Sequence, residues 1–500
     1  MRFLELLLSI RPLLAVLVSL MAAVLILCLR RRANLRDTVS VVAAVVKFLI
    51  VISLAPLVMA GGTHDLTLFE VLPGVAFSFR VDALGMVFAT VSSLLWILAA
   101  LYSIGYMRSQ NEHAQTRFFA AFAVSLSAAV GGAFAANLFT LVIFYEVLSL
   151  VTYPLVYHKE DDASWSGSRR YMVYLLGASK SLLLAALALT YHLAGTLDFM
   201  PRGLFGGVDA SGALLSVVYF CYLFGFAKAA IMPFHAWLPA AMVAPTPVSA
   251  LLHAVAVVKM GVFCLLRVIF HVMGVDLMGS LGLGIATAYL VSFTIVMASI
   301  YALTRDDLKA RLAYSTVSQL SYIILGAVLL TPMAAVGGVT HVAAHAFSKI
   351  TLFFCAGSIY CASHRRNISD LAGIGRQLPW TMAAFFIGSL GMIGLPPTGG
   401  FISKWYLVLG SANAGEMVFL AVLLVSAVLN AAYFLPVTYT AFFERAKPQQ
   451  DQSLVAMQEV REIPMVAVPL MVTAVLSVLL GLTPGFFVEL SQLVMRGAGL

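Results

Sequence analysis

The chain has 500 residues, of which 62% are hydrophobic and only 10% charged, and its mean hydropathy is +0.99. That balance excludes a soluble globular enzyme and marks a polytopic helical membrane protein. The net charge of +8 is explained by loop cations biased to one side of a bilayer, so it calls for no nucleic-acid partner.

In chain order, Met1–Arg32 is a long apolar run with no small-residue cleavage site before its arginines, which predicts a first span and not a signal peptide. About fourteen spans of roughly twenty apolar residues follow from hydropathy: 6–29, 39–60, 84–106, 118–135, 137–157, 171–193, 212–232, 247–270, 279–303, 312–330, 334–361, 379–409, 416–442 and 464–490. The eleventh is long, and Pro396-Pro397 divides the twelfth. No stretch outside them is long enough for a soluble domain, so residues 1–500 are expected to form one all-α transmembrane domain. The five cysteines show no CxxC, zinc or iron–sulfur spacing and are expected to be small buried hydrophobes. Gly282 and Gly284 echo a dinucleotide glycine pair but follow no strand. No cofactor and no metal site is expected, and no catalytic residue.

The thirty lysines and arginines set the orientation. Eighteen fall in loops after odd-numbered spans, among them Arg30–Arg32, Arg36, Arg108, Lys159, Arg305, Arg365, Arg366, Lys447 and Arg461. Six lie on the opposite side or at the termini: Arg2, Arg11, Arg80, Arg202, Arg267 and Arg496. The bias is positive-inside and predicts a cytoplasmic membrane protein with both termini outside. The remaining six, Lys47, Lys180, Lys228, Lys259, Lys349 and Lys404, fall within spans. All six are lysines, which lose a proton when desolvated, as arginine does not. Lys47, close to a span end, is expected to snorkel.

The stretch Tyr219–Arg267 concentrates the chemistry. Two apolar helical runs are interrupted by Pro233, Pro239, Pro245 and Pro247, with Lys228 in the first run and His253 and Lys259 in the second. A lysine in hydrocarbon costs about 3 kcal/mol on insertion scales. A broken helix beside such a lysine points to an ion path. Glu146, near the middle of the fifth span, is the acidic candidate. In the eleventh span, His341, His345 and Lys349 recur every four residues and share one helix face, an arrangement suited to a proton relay. Metal chelation by the two histidines is a weaker reading, because no third ligand lies nearby.

EVLSLVTY (Glu146–Tyr153) matches STVSQLSY (Ser315–Tyr322), and GASKSLL (Gly177–Leu183) matches AFSKITL (Ala346–Leu352), both at an offset of 169 residues. A shift of five spans inverts the copies, which predicts two inverted five-helix repeats, 118–270 and 279–442, with broken seventh and twelfth helices.

FYEVLSL, FGFAKAAIMPFHAWLPAAMVAPTPVSALLHAVAVVKMGVF, HVAAHAFSKITLF and GLPPTGGFISKW resemble the antiporter-like subunits shared by respiratory complex I, multisubunit Mrp cation/proton antiporters and membrane-bound hydrogenases. The resemblance runs from the third expected span to the thirteenth. It implies a hydrated polar axis at mid-membrane: Glu146 paired with Lys228, Lys259 and His253 as connectors, His341, His345 and Lys349 as central relay, and Lys404 as terminal group. Lys404 departs from those paralogues that carry glutamate there. The chain closes soon after the fourteenth expected span, which within the resemblance favours an Mrp D-like protein over the larger paralogues. The alternative is a membrane subunit of a complex I-like oxidoreductase or hydrogenase. Either implies partner membrane subunits, the lipid bilayer and protons as transported species, with sodium left open. Any redox chemistry would belong to the partners.

Overall fold

A computed structural model describes residues 9–445 and 460–500; residues 6–8 of the first expected span, Arg2 and Lys447 lie outside the described residues. The chain is mostly helical, and eleven of its helices are long and apolar enough to cross a membrane. They cover all the expected spans but three. The seventh ends early, at Gly225, as a helix of 14 residues. The tenth, Leu308–Val328, carries Lys309, Arg311, Gln319 and three serines. The twelfth is split into Pro379–Ile393 and Gly399–Asn413.

Side-chain caps fix where several helices begin. Asn137 accepts from the Thr140 amide (2.8 Å), Asp307 from Ala310 (2.7 Å) and Asp82 from Gly85 (2.9 Å). Asp161 and Ser164 form a reciprocal capping box.

One element departs from the all-α expectation. His64–Leu72 (β1) and Val75–Val81 (β2) form an antiparallel hairpin around Pro73-Gly74. Gly74 takes a positive φ of 74° there, which suits glycine. The outer strand is mostly exposed. The inner strand docks on the turn before the Glu146 helix through Arg80 N to Phe134 O (2.7 Å) and Ala136 N to Ser78 O (3.1 Å). Nine- and seven-residue strands are too short to register against a hydropathy pattern set by twenty-residue spans.

The core lies where Pro332–Ser363, the histidine helix, runs through the molecule. Its most apolar stretch is completely buried, against about four tenths for the two N-terminal helices. The cysteines do not behave uniformly: Cys264 and Cys355 are buried, Cys221 and Cys361 half-buried, and Cys28 exposed. Near a lipid-facing helix end nothing drives a thiol inward.

Candidate functional site

The seventh-span break lies just ahead of Pro233, which lacks an N–H and so cannot continue a helical hydrogen-bond ladder. The helix stops at Gly225, a 3₁₀ turn spans Ala227–Ala229, and Ala230 adopts the left-handed conformation. The backbone groups this frees find partners, as membrane depth requires. Trp237 Nε1 donates to Ala227 O (3.0 Å), Lys228 N to the Tyr145 hydroxyl (3.2 Å) and Met232 N to Thr294 Oγ1 (3.3 Å). The Lys259 helix (Thr246–Met273) lies backbone-on-backbone against this turn. A Cβ on Gly261 would come within 2.2 Å of Ala229 N, so only glycine allows the approach.

The twelfth-span break has a different staple. Gly394 (φ 93°) ends the first half, and Lys404 reaches back from the second. Its Nζ donates to the freed carbonyls of Met392 (2.6 Å) and Ile393 (3.1 Å). A Cβ on Gly394 would sit 2.6 Å from the Lys404 Cδ.

Between the breaks lies a buried polar line. Lys259 Nζ is 2.7 Å from His345 Nδ1, and the His345 and His341 ring centroids are 6.0 Å apart. His341 contacts Ser403 through Nδ1 (2.8 Å) and Gln319 through Nε2 (3.0 Å), and Ser403 adjoins Lys404. Lys349 turns the other way. It donates to Ser315 Oγ (2.9 Å) and Leu312 O (3.3 Å), and the Tyr433 hydroxyl donates to the same Ser315 (3.1 Å). Tyr433 bonds Asn430, which Gln319 Nε2 reaches at 3.4 Å, closing the path back to His341. His253 Nδ1 lies 3.0 Å from Thr316 Oγ1. Lys228, Lys259, His253, His341, His345 and Lys349 are all buried. The His253 and His345 Nε2 atoms have no hydrogen-bond partner.

Several expectations change. Glu146 is ion-paired with Lys180, at 3.7 Å, and no Glu146–Lys228 ion pair occurs among the described residues. The Lys228 ammonium instead sits on the Tyr145 carbonyl and over the Tyr145 ring, 3.2 Å from its centroid, one residue from Glu146. A π-turn, Ser179–Leu183, carries Lys180 at the point where its helix passes Glu146. The expected His341–His345–Lys349 row shares a helix face, but each member bonds a different neighbour, so the row is not a contact chain by itself. Lys47 does not snorkel. It is fully buried, donating to Ser19 Oγ (2.9 Å) and Leu126 O (2.5 Å) beneath Trp96. Arginine is also present inside helices: Arg36 lies in Ala33–Ile52 and Arg267 in Val257–Arg267, both buried. Each is neutralised by aspartate, Arg36 by Asp37 (2.8 Å) and Arg267 by Asp82 (2.5 Å).

Of the linking groups, Ser315 stands in the sequence only as the repeat counterpart of Glu146, and Tyr145, Thr316, Gln319, Ser403, Asn430 and Tyr433 are not singled out there. Ser315 and Gln319 are four residues apart on one helix face, a signal of the same kind as the histidine row.

Comparison with known proteins decides the family. Residues 135–430, more than half of the chain, match the family described as NADH:quinone oxidoreductase/Mrp antiporter, TM. The chain belongs to this family. Residues 74–119 match a second description, NADH-Ubiquinone oxidoreductase (complex I), chain 5 N-terminus. Family relatives include NADH-quinone oxidoreductase subunit N of Desulforudis audaxviator, 33% identical over 73% of this chain and 72% of that one. A probable K(+)/H(+) antiporter component of Rhizobium meliloti is 32% identical over 72% of this chain but only 36% of its own length. This chain likewise spans only about half the length of other curated relatives it matches. The solved Mrp complex from Dietzia sp. DQ12-45-1b contains a chain of the same fold, with a TM-score of 0.87 over 98% of this chain and 97% of that one at 23% identity. The protein is thus a multi-pass, antiporter-like membrane component of the family.

Proposed function

We propose that this chain is the proton-translocating subunit of a multisubunit monovalent cation/proton antiporter, of the Mrp D-like kind. The observation that carries the reading is the buried Lys259–His345 contact at 2.7 Å, continued through His341 to Ser403 and Lys404. Both members can hold or give up a proton, and neither has a carboxylate partner to fix its charge. The proposed route enters near Glu146, Lys180 and Lys228, passes Lys259 and the His345–His341 pair, and leaves beside Lys404. Lys349, Ser315, Tyr433, Asn430 and Gln319 form a side branch, with His253 beside it through Thr316. The unpartnered histidine nitrogens are places for bound water, which buried polar groups recruit.

The route sits on two inverted five-helix repeats, 118–270 and 279–442, within about fourteen crossings. In support, Glu146 meets Lys180 in the first half, and Ser315 meets Lys349 in the second, the same two positions at the same offset of 169 residues. Partner membrane subunits are part of the proposal. Lys180 lies within a span yet its side chain is 60% exposed, and lipid alone would be a costly neighbour for it. The cytoplasmic membrane, with both termini outside, follows from the loop-cation bias.

A second reading, a proton-pumping subunit of a complex I-like oxidoreductase or a membrane-bound hydrogenase, is favoured by the 72% coverage of the Desulforudis relative. Proteoliposomes of the complex purified in mild detergent test the common core. Lys259→Ala is expected to lower proton transport at least about tenfold, roughly 1.4 kcal/mol in the limiting step. Undiminished transport would remove the proposed line. The co-purifying proteins, antiporter or redox, separate the two readings.

A further inference from the structure

Away from the polar line, three potential ligands meet where the turn after Ala83–Ser109 approaches the end of the Glu146 helix (Leu138–Val156). Glu112 and His113 lie in the turn, and His158 lies two residues beyond the helix. The two imidazoles stack with centroids 4.8 Å apart and an interplanar angle of 27°. His158 Nε2 is 3.6 Å from Glu112 Oε2, and one ligand atom from each residue lies within 4.8 Å of the others.

The decisive member is His158. Its ring is fully buried, with Phe118 against it edge-on, and neither ring nitrogen has a hydrogen-bond partner. Its Nε2 has only the Glu112 carboxylate, at 3.6 Å, and its Nδ1 has no partner; a buried ring so poorly satisfied in a native fold calls for an occupant. The neighbouring cation does not supply one. Arg117 is committed to Glu160 (2.6 Å), and it meets His158 only through the backbone carbonyl. Glu112 is half-buried and His113 exposed, so the outer two ligands can close on a fixed inner one.

We propose that Glu112, His113 and His158 form a binding site for a divalent transition metal of the zinc class. Two imidazole nitrogens and one carboxylate oxygen are the borderline ligand set such ions take, with water in the fourth position. A tetrahedral ion with bonds of about 2.0–2.2 Å needs its ligand atoms roughly 3.3 Å apart; from a set within 4.8 Å, binding would require the exposed His113 and half-buried Glu112 side chains to draw inward. The bound ion would fasten the turn to the helix that carries Glu146.

The test uses the tag-free protein with its native partner subunits, stripped by chelator and titrated with Co²⁺ and then Zn²⁺. The expected result is one Co²⁺ per chain with the intense visible absorption of a four-coordinate ion, displaced by Zn²⁺, and a metal-dependent rise in unfolding temperature. His113→Ala and Glu112→Gln should each weaken binding by more than the roughly 10–100-fold that loss of a supporting group costs. His192→Ala, an exposed histidine elsewhere, should change nothing. A six-coordinate cobalt spectrum, or binding that survives His113→Ala, would overturn the site and leave His158 with water only. Should His158→Ala fail to fold, His113→Ala alone decides, because its ring is exposed.

Discussion

Arg267 and Lys259 lie about two turns apart on the same helix and are equally buried, yet they are held in opposite ways. Arg267 grips Asp82 with two hydrogen bonds (2.5 and 2.7 Å), its guanidinium 5.1 Å from the Phe199 and Phe263 rings. Asp82 also caps the Ala83–Ser109 helix, so the pair ties one helix end to another. Arg36 and Arg108 share Asp37 in the same manner. The buried lysines Lys47, Lys228, Lys259, Lys349 and Lys404 have no ion pair among the described residues. They rest on carbonyls, hydroxyls, aromatic faces or an imidazole. A guanidinium with its own carboxylate stays charged and fastens the fold. An ammonium on neutral acceptors can change its charge without stranding a buried anion. The fold thus gives its buried arginines aspartate partners and these buried lysines neutral ones.

The contrast is most directly broken at the clamp. Arg267→Ala leaves Asp82 uncompensated and should destabilise the protein by about 3–5 kcal/mol, read as lost folded protein after detergent extraction; joint replacement with Asp82→Leu should recover much of it. Next in size, Lys228→Ala should lower proton transport at least about tenfold while leaving the unfolding temperature close to that of the native chain. A transport-competent Lys228→Ala protein would place that lysine with the structural cations. A pH scan sharpens the same distinction. Burial raises the Asp82 carboxyl, but the charge and hydrogen bonds of Arg267 outweigh it and hold the group below its ordinary value. Its stabilising contribution is thus present at neutral pH and fades as pH falls below about 4. The Asp82→Asn protein should show a flatter unfolding profile across that acid window. Smallest, Ser403→Ala removes one neutral hydrogen bond from His341, worth about 0.5–1.5 kcal/mol, and should slow transport by several-fold without abolishing it.

Both proline breaks, the spacing of His341 and His345, and the intramembrane lysines were legible, because proline geometry and helical period are local properties. Partner choice was not. Nothing in the order of residues distinguishes Lys180 from Lys228 as the ion partner of Glu146; the π-turn around Lys180 and the docking of Gly261 on Ala229 settle that in three dimensions. Lys47 misled because distance from a span end does not reveal whether a side chain faces lipid or a neighbouring helix. Arg267 falls inside the expected 247–270 span but counts there as an opposite-side cation; its partner Asp82, which lies on another element, is not legible from span position. His113 and His158 escaped notice because their approach depends on how two helix ends meet.

Lys404 closes the twelfth-span break through two backbone oxygens, and an ammonium carries three N–H bonds. A neutral amine keeps two. The side chain can hand on its third hydrogen and still hold both halves of the helix together, so this joint can discharge without coming apart.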